Sequence, residues 1–184
     1  MTFTRLSLLL ITPLFLQATE IKQEIYQLYQ SEKFHEACSV GMRNFQRNRT
    51  DTEFVSLYAF ACLKSDFIDR LAVPISILKH SEESRANAAY LSVILMQKKL
   101  LYHALIDGYD LSAFQLPTTD YVLSKVFDYY ARDQHTGKRD VYEYRDAENP
   151  RRRYKLYVTE SGRVKKMVVD EYYDTILAKR HIYW

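Results

Sequence analysis

The 184 residues carry 26 Lys/Arg against 23 Asp/Glu, a formal charge of +3 that is too small to signal nucleic acid by itself. With 47% hydrophobic content the chain can bury one or two cores, and only 4 Gly and 4 Pro exclude a disordered chain or a turn-rich sandwich. The charge is uneven: residues 19–131 hold 12 Lys/Arg against 14 Asp/Glu, whereas residues 132–184 hold 13 against 9, which divides the chain into two regions of different character.

Arg5 precedes an apolar run over residues 6–16, followed by Leu16-Gln17-Ala18 and the polar Thr19-Glu20. A basic start, a short apolar stretch and a small residue form a secretory signal, residues 1–18, with cleavage near Ala18. An uncleaved anchor or a buried first helix are its alternatives. The run is shorter than the ~20 apolar residues a bilayer span needs. The expected mature chain is an exported, soluble protein, most simply of a periplasm.

Next come helices. Residues 20–30 place Ile21, Ile25, Leu28 and Tyr29 at helical spacing, and Ser31-Glu32-Lys33 turns the chain. Ala37, Cys38, Met42 and Phe45 form the stripe of a second helix. Thr50 and Glu53 suit a capping box for a third, which carries Phe54, Leu57, Tyr58, Ala61 and Cys62. Asp66 or Ser65 is expected to cap the helix after it, and Pro74 to bend that helix. Ser81-Glu82-Glu83 opens a helix to about residue 97, and a shorter one over 99–107 ends at Gly108.

Phe34, Ile68 and Leu101, spaced by 34 and 33 residues, each open a similar short motif, and Leu28, Cys62 and Leu95 keep step in the preceding helices. A period near 34 with two helices per unit reads as a helical-hairpin solenoid. With Ala37 and Ala104 at helix contacts, residues 19–110 resemble the tetratricopeptide repeat (TPR) in three degenerate units. The repeat's Trp is absent, and Gly41, Ile75 and Gly108 stand where the family has a bulky residue. A non-repeat helical bundle is the alternative. The resemblance implies a concave groove lined by Tyr26, Tyr29, Ser56, Phe60, Lys64, Val93, Met96 and Gln97, suited to an apolar peptide or helix. Packing between repeats is the plainer use of the same side chains.

Cys38 and Cys62 are the chain's two thiols, each twelve residues from a turn near residue 50. Antiparallel helices would bring them level, so a disulfide is expected in an exported protein, ahead of two buried thiols. No spacing completes a metal site around them.

Residues 119–132 read as a helix that caps the repeats, and the polar segment 133–139 as a boundary, giving a helical domain 19–132 and a small antiparallel β region 133–184. Val141–Arg145 alternates, and residues 154–159 and 164–169 flank a Ser161-Gly162 hairpin turn. Tyr154, Leu156, Val158, Met167 and Val169 fall on one face of that hairpin; Lys155, Tyr157, Lys166 and Val168 fall on the other. Residues 172–184 suit a strand, or a helix then a strand, with Ile182-Tyr183-Trp184 docked on something apolar. Arg151, Arg152, Arg153, Lys155, Arg163, Lys165 and Lys166 form a basic cluster, either a surface for an acidic partner or anionic envelope, or a charged edge that blocks aggregation.

The five His are scattered, and no nucleophile motif, phosphate loop or metalloprotease signature is present. The expectation is a non-enzyme without cofactor or metal: a mainly α, exported adaptor that binds an envelope protein or peptide, not nucleic acid, touching membrane only through an uncleaved signal or the basic surface. A structural part docked through the β region is the second reading, and an enzyme with an unrecognised site is the third.

Overall fold

The computed structural model describes residues 13–133 and 140–184. Most of the apolar run 6–16, Arg5 with it, and Gly137 of the expected boundary lie outside them. The chain separates into two compact units between Ser65 and Asp66, so the change from helix to strand near residue 133 falls inside the second unit.

The first unit is three helices, α1 (Pro13–Gln30), α2 (Phe34–Asn48) and α3 (Thr52–Lys64). α1 runs unbroken past Ala18. A three-residue turn with Glu32 in the left-handed region (φ 57°) joins α1 to α2, which returns it antiparallel. Asp51, not Thr50, caps α3: its carboxylate accepts the amides of Glu53 and Phe54, because Thr52 already has helical geometry. Asp51 and Glu53 also hold Lys22 of α1, at 3.2 and 2.7 Å. Ile25, Ala37, Cys38, Phe54, Ala59 and Cys62 are wholly buried. Cys38 and Cys62 are bridged, with Cα atoms 4.7 Å apart. Gly41 faces Tyr58 so closely that a Cβ there would stand 2.4 Å from the ring, which accounts for the glycine.

The second unit begins with a 3-10 turn (Ile68–Leu71) and α4 (Ala72–Ile77). Pro74 lies in the first turn of α4, where no backbone donor is needed, and the chain changes from 3-10 to α winding just before it. α5 (Glu82–Asp107) starts at Ser81, in a reciprocal box with Ser84, and stops at Gly108 (φ 76°). The two helices expected over 82–97 and 99–107 are thus one. Between them the chain has neither Gly nor Pro, and Leu91, Ile94, Lys98, Leu101 and Leu105 continue one buried stripe at spacings of three and four. α6 (Val122–Arg132) follows Tyr121.

Four antiparallel strands close the unit in sequential order: β1 (Val141–Arg145), β2 (Arg152–Ser161), β3 (Val164–Tyr173) and β4 (Ile176–Tyr183). Ser161 pairs with Val164, and Gly162 (φ 64°) supplies the left-handed residue of the two-residue turn. The last segment is a strand throughout, entered by Asp174 in the left-handed region, with a bulge where Glu171 pairs with Lys179 and Tyr172 with Leu177. One face carries Tyr142, Tyr154, Leu156, Met167, Val169, His181 and Tyr183, all buried, against α5 and α6. Tyrosines make much of that contact: Tyr130 meets Tyr142 edge-on at 5.0 Å, and Tyr129 lies 5.7 Å from Tyr144 and 6.2 Å from Tyr154. On the other face Arg180 and Tyr157 enclose the Asp170 carboxylate.

Candidate binding site

The second unit gathers its buried polar groups around Asp66. This residue sits in the left-handed region (φ 64°), which Asp tolerates better than most residues. The expectation that it caps a helix fails: the 3-10 turn starts after Phe67 with no side-chain cap, and the Asp66 carboxylate is used elsewhere. Its Oδ1 accepts the Tyr121 hydroxyl at 2.6 Å, His181 Nδ1 at 2.7 Å and the Tyr183 hydroxyl at 3.2 Å. Strand alternation brings His181 and Tyr183 to the same sheet face, and the start of α6 supplies Tyr121.

His181 is buried between two carboxylates, with Nε2 3.9 Å from Glu171 Oε2. Burial would lower its pKa, but the Asp66 hydrogen bond and Glu171 outweigh it and raise the value above 6.5. Glu171 is lowered by the same imidazole, against the opposing effect of burial. Burial and the charge of Asp66 push both Tyr121 and Tyr183 well above 10, so they remain donors.

A second cluster adjoins the first. Lys98, buried on α5, donates to both oxygens of Asp69 at 3.1 Å and to the Trp184 carbonyl at 2.5 Å. Lys99 holds Asp69 at 2.9 Å. Burial lowers the Lys98 pKa, partly offset by Asp69. Burial would raise Asp69, but Lys99 and Lys98 hold it below the usual carboxylate value. A cavity of about 200 Å³ opens between the clusters, lined by Asp66, Phe67, Ile68, Asp69, Arg70, Lys98, Ile182, Tyr183 and Trp184. In its wall Lys98 and Asp69 hold one another, His181 holds Asp66 from behind, and Arg70 lies over the Phe67 ring at 4.1 Å. Trp184 is 56% exposed, so the expected docking of 182–184 holds for Tyr183 and not for its neighbours. Such a site can hold a small, mainly apolar group in a set orientation.

The sequence-derived candidates fall elsewhere. Tyr26, Tyr29, Ser56, Phe60 and Lys64 belong to the first unit, whereas Val93, Met96 and Gln97 belong to the second. Tyr26 and Met96 are exposed, and Tyr29 is half-buried against Phe34 at 5.0 Å. Gln97 cannot line a groove: it is fully buried and donates to the Pro117 carbonyl. The basic cluster is largely paired. Arg151 grips Asp174 at 2.6 Å, Arg152 reaches Glu171 at 3.2 Å, and Lys155 reaches Glu143 at 2.9 Å. Arg153 donates to the Asp174 carbonyl, and Lys166 lies 5.3 Å over the Trp184 ring. Arg163 and Lys165 are exposed at the hairpin end.

Asp66, Lys98, Tyr121, His181 and Tyr183 carried no signal as a site in the sequence. Their one trace was the apolar final stretch, which marked Tyr183 as docked. Among the described residues, no three His, Cys, Asp or Glu side chains converge as a metal site, and no helix is long and apolar enough to cross a membrane. No protein-family model matches the chain, and neither the curated proteins nor the solved structures give a match to it.

Proposed function

We propose that the chain is an exported protein–protein adaptor of the cell envelope, most simply periplasmic, that binds rather than catalyses. The cavity beside Asp66 carries this reading. Asp69 in its wall is fixed by Lys98 and Asp66 by His181, so both carboxylates are preorganised, and the half-exposed Trp184 offers the large flat contact that binding sites favour. The bridge between Cys38 and Cys62 suits an oxidising compartment. The antiparallel α1–α2 pair suits a TPR-like hairpin in the first unit.

The test is chemical cross-linking in intact cells with the full chain as bait, comparing wild type with Trp184→Ala and with Tyr29→Ala/Phe60→Ala. One dominant envelope protein, lost with Trp184→Ala, supports an adaptor that works through the cavity. Loss only with the Tyr29/Phe60 pair moves the site to the first unit. No captured protein in any arm sinks the adaptor reading.

A second reading, a structural part docked through the β region, is favoured by β4. This edge strand exposes Ile176 at 72%, and Leu177 and Ile182 to a lesser degree. Under it, Ile176→Lys/Leu177→Lys would abolish assembly while Trp184→Ala would not.

A further inference from the structure

We infer that the cavity beside Asp66 takes a single aromatic ring bearing a neutral hydrogen-bond donor, a phenol or an indole, with its O–H or N–H on Asp66 Oδ2 and the ring against Trp184. The hydrogen-bond inventory leads to this ligand. All three donors that reach Asp66, from Tyr121, His181 and Tyr183, fall on Oδ1. Oδ2 receives none among the described residues, although Asp66 lines the cavity. Its lone pairs can accept an incoming O–H or N–H.

Two more charged groups of the wall, Asp69 and Lys98, are engaged. Asp69 takes Lys98 on both oxygens and Lys99 on Oδ1. The three protons of Lys98 go to Asp69 and the Trp184 carbonyl, so Lys98 has none for an anionic ligand. The charge balance then separates neutral donors from cationic ones. Asp69 is matched by Lys98 and Lys99, and Asp66 by His181, so an ammonium ligand finds no unmatched carboxylate to repay the loss of its water, whereas a phenol or indole donor carries no charge to desolvate. The walls suit the body of such a ligand: Phe67, Tyr183 and Trp184 present rings, and Ile68 and Ile182 fill between them. About 200 Å³ is below the usual range for drug-sized ligands and matches one ring system with a short substituent.

Trp184 is the chain's sole tryptophan, so its emission, excited at the red edge of indole absorption, reads the cavity directly. The full-length protein is titrated with p-cresol, 4-methylanisole and benzylamine, with saturation-transfer NMR as a second readout. These keep the ring while removing the donor or adding a charge. We expect p-cresol to bind, and both 4-methylanisole and benzylamine to bind about tenfold more weakly. Asp66→Asn keeps an Oδ1 acceptor, suits φ 64° and turns the second oxygen into a donor. It should cost p-cresol about tenfold and leave 4-methylanisole unchanged. Equal binding of p-cresol and 4-methylanisole, tighter binding of benzylamine, or no response to millimolar p-cresol each overturns the inference, and all three are read on wild type whether or not Asp66→Asn folds.

The source of the ring rests on the adaptor reading and is tested separately. N-acetyl-tyrosinamide binding about tenfold tighter than p-cresol assigns the ring to a partner's side chain, and equal affinity assigns it to a free phenol. p-Cresol binding without partner capture in cells defeats the adaptor reading alone, and partner capture without p-cresol binding defeats this inference alone.

Discussion

His181 and Asp66 meet at 2.7 Å across 115 residues of sequence, tying the last strand of the second unit to the residue that opens it. This bond has a pH sign. The native pKa of His181 is raised above 6.5, because Asp66 and Glu171 outweigh burial. The unfolded chain releases its proton first as pH rises, so the stabilisation is complete below about 6.5 and disappears as pH passes through the native value. Neutral His181 can still donate from Nδ1 to Asp66, but its bare Nε2 then faces Glu171. Urea melts from mildly acidic to mildly alkaline pH should show falling stability above neutrality in wild type and a flatter profile in His181→Gln. A rise in wild-type stability across that interval would contradict the assignment. His181→Ala should cost about 3 kcal/mol at acidic pH, since it leaves Asp66 half-buried without its cation.

The bridge between Cys38 and Cys62 closes a loop with a sequence separation of 24. In the chain-entropy picture, closing such a loop destabilises the unfolded state by about 3 kcal/mol. Denaturant melts with and without a reductant should differ by about that amount. The Cys38→Ser/Cys62→Ser variant should match the reduced wild type, less a further loss from two hydroxyls in fully buried positions. Thiol titration of the unreduced protein should find no free cysteine.

The expectations that held and those that did not differ in range. Ser81 and Gly108 end α5 through bonds within one helical turn, and Ser161-Gly162 sets the β2–β3 register through its own backbone. Such signals are local and can be read from neighbouring letters. The cysteine pair was legible because one turn fixes the level of two helices. The error at residues 97–99 arose from reading a repeat period as a helix break, when nothing there interrupts the helix and Lys98 belongs to its buried stripe. That Lys98 is buried becomes visible only when Asp69 and Trp184 come to meet it. Asp66 reads as a cap in the sequence because Asp is a favoured N-cap residue. Its actual partners stand 55 to 117 residues away on elements with no shared motif. The final strand was ambiguous because its bulge breaks the alternation that marks a strand.

Gly41 tests the packing of the first unit. A Cβ at this position would lie 2.4 Å from Tyr58 Cδ2, 2.9 Å from Cγ and 3.0 Å from Cβ. The last two atoms cannot swing aside by a change of ring orientation, so α2 and α3 must separate. Gly41→Ala should therefore destabilise by about 1–3 kcal/mol, although alanine has the higher helix propensity. The double variant Gly41→Ala/Tyr58→Ala should cost less than the sum of the two single changes, because it removes Cγ and the ring. If Gly41→Ala alone raises the melting temperature, the close approach of Tyr58 is wrong.

Asp146 makes the opposite pH statement to His181. Its side chain is almost fully buried, and it accepts the Tyr154 hydroxyl at 2.6 Å, Lys125 at 3.1 Å and the amides of Glu148 and Asn149. Burial would raise its pKa, yet these donors together lower it to about 2. A depressed carboxylate stabilises the fold above its unfolded pKa near 3.9 and loses that contribution as pH falls through the native value. Asp146→Asn should destabilise at neutral pH and narrow its deficit against wild type as pH falls through this range. Asp146→Ala should cost about 3 kcal/mol at pH 7, because Tyr154 and Lys125 lose the acceptor they share. Near-ultraviolet circular dichroism follows the consequence directly. Tyr154 packs on Tyr129, so a loosened Asp146 should reduce the tyrosine signal before the helical signal changes. Simultaneous loss of both signals would mean that this corner of the sheet unfolds with the whole unit, and that Asp146 acts on global stability alone.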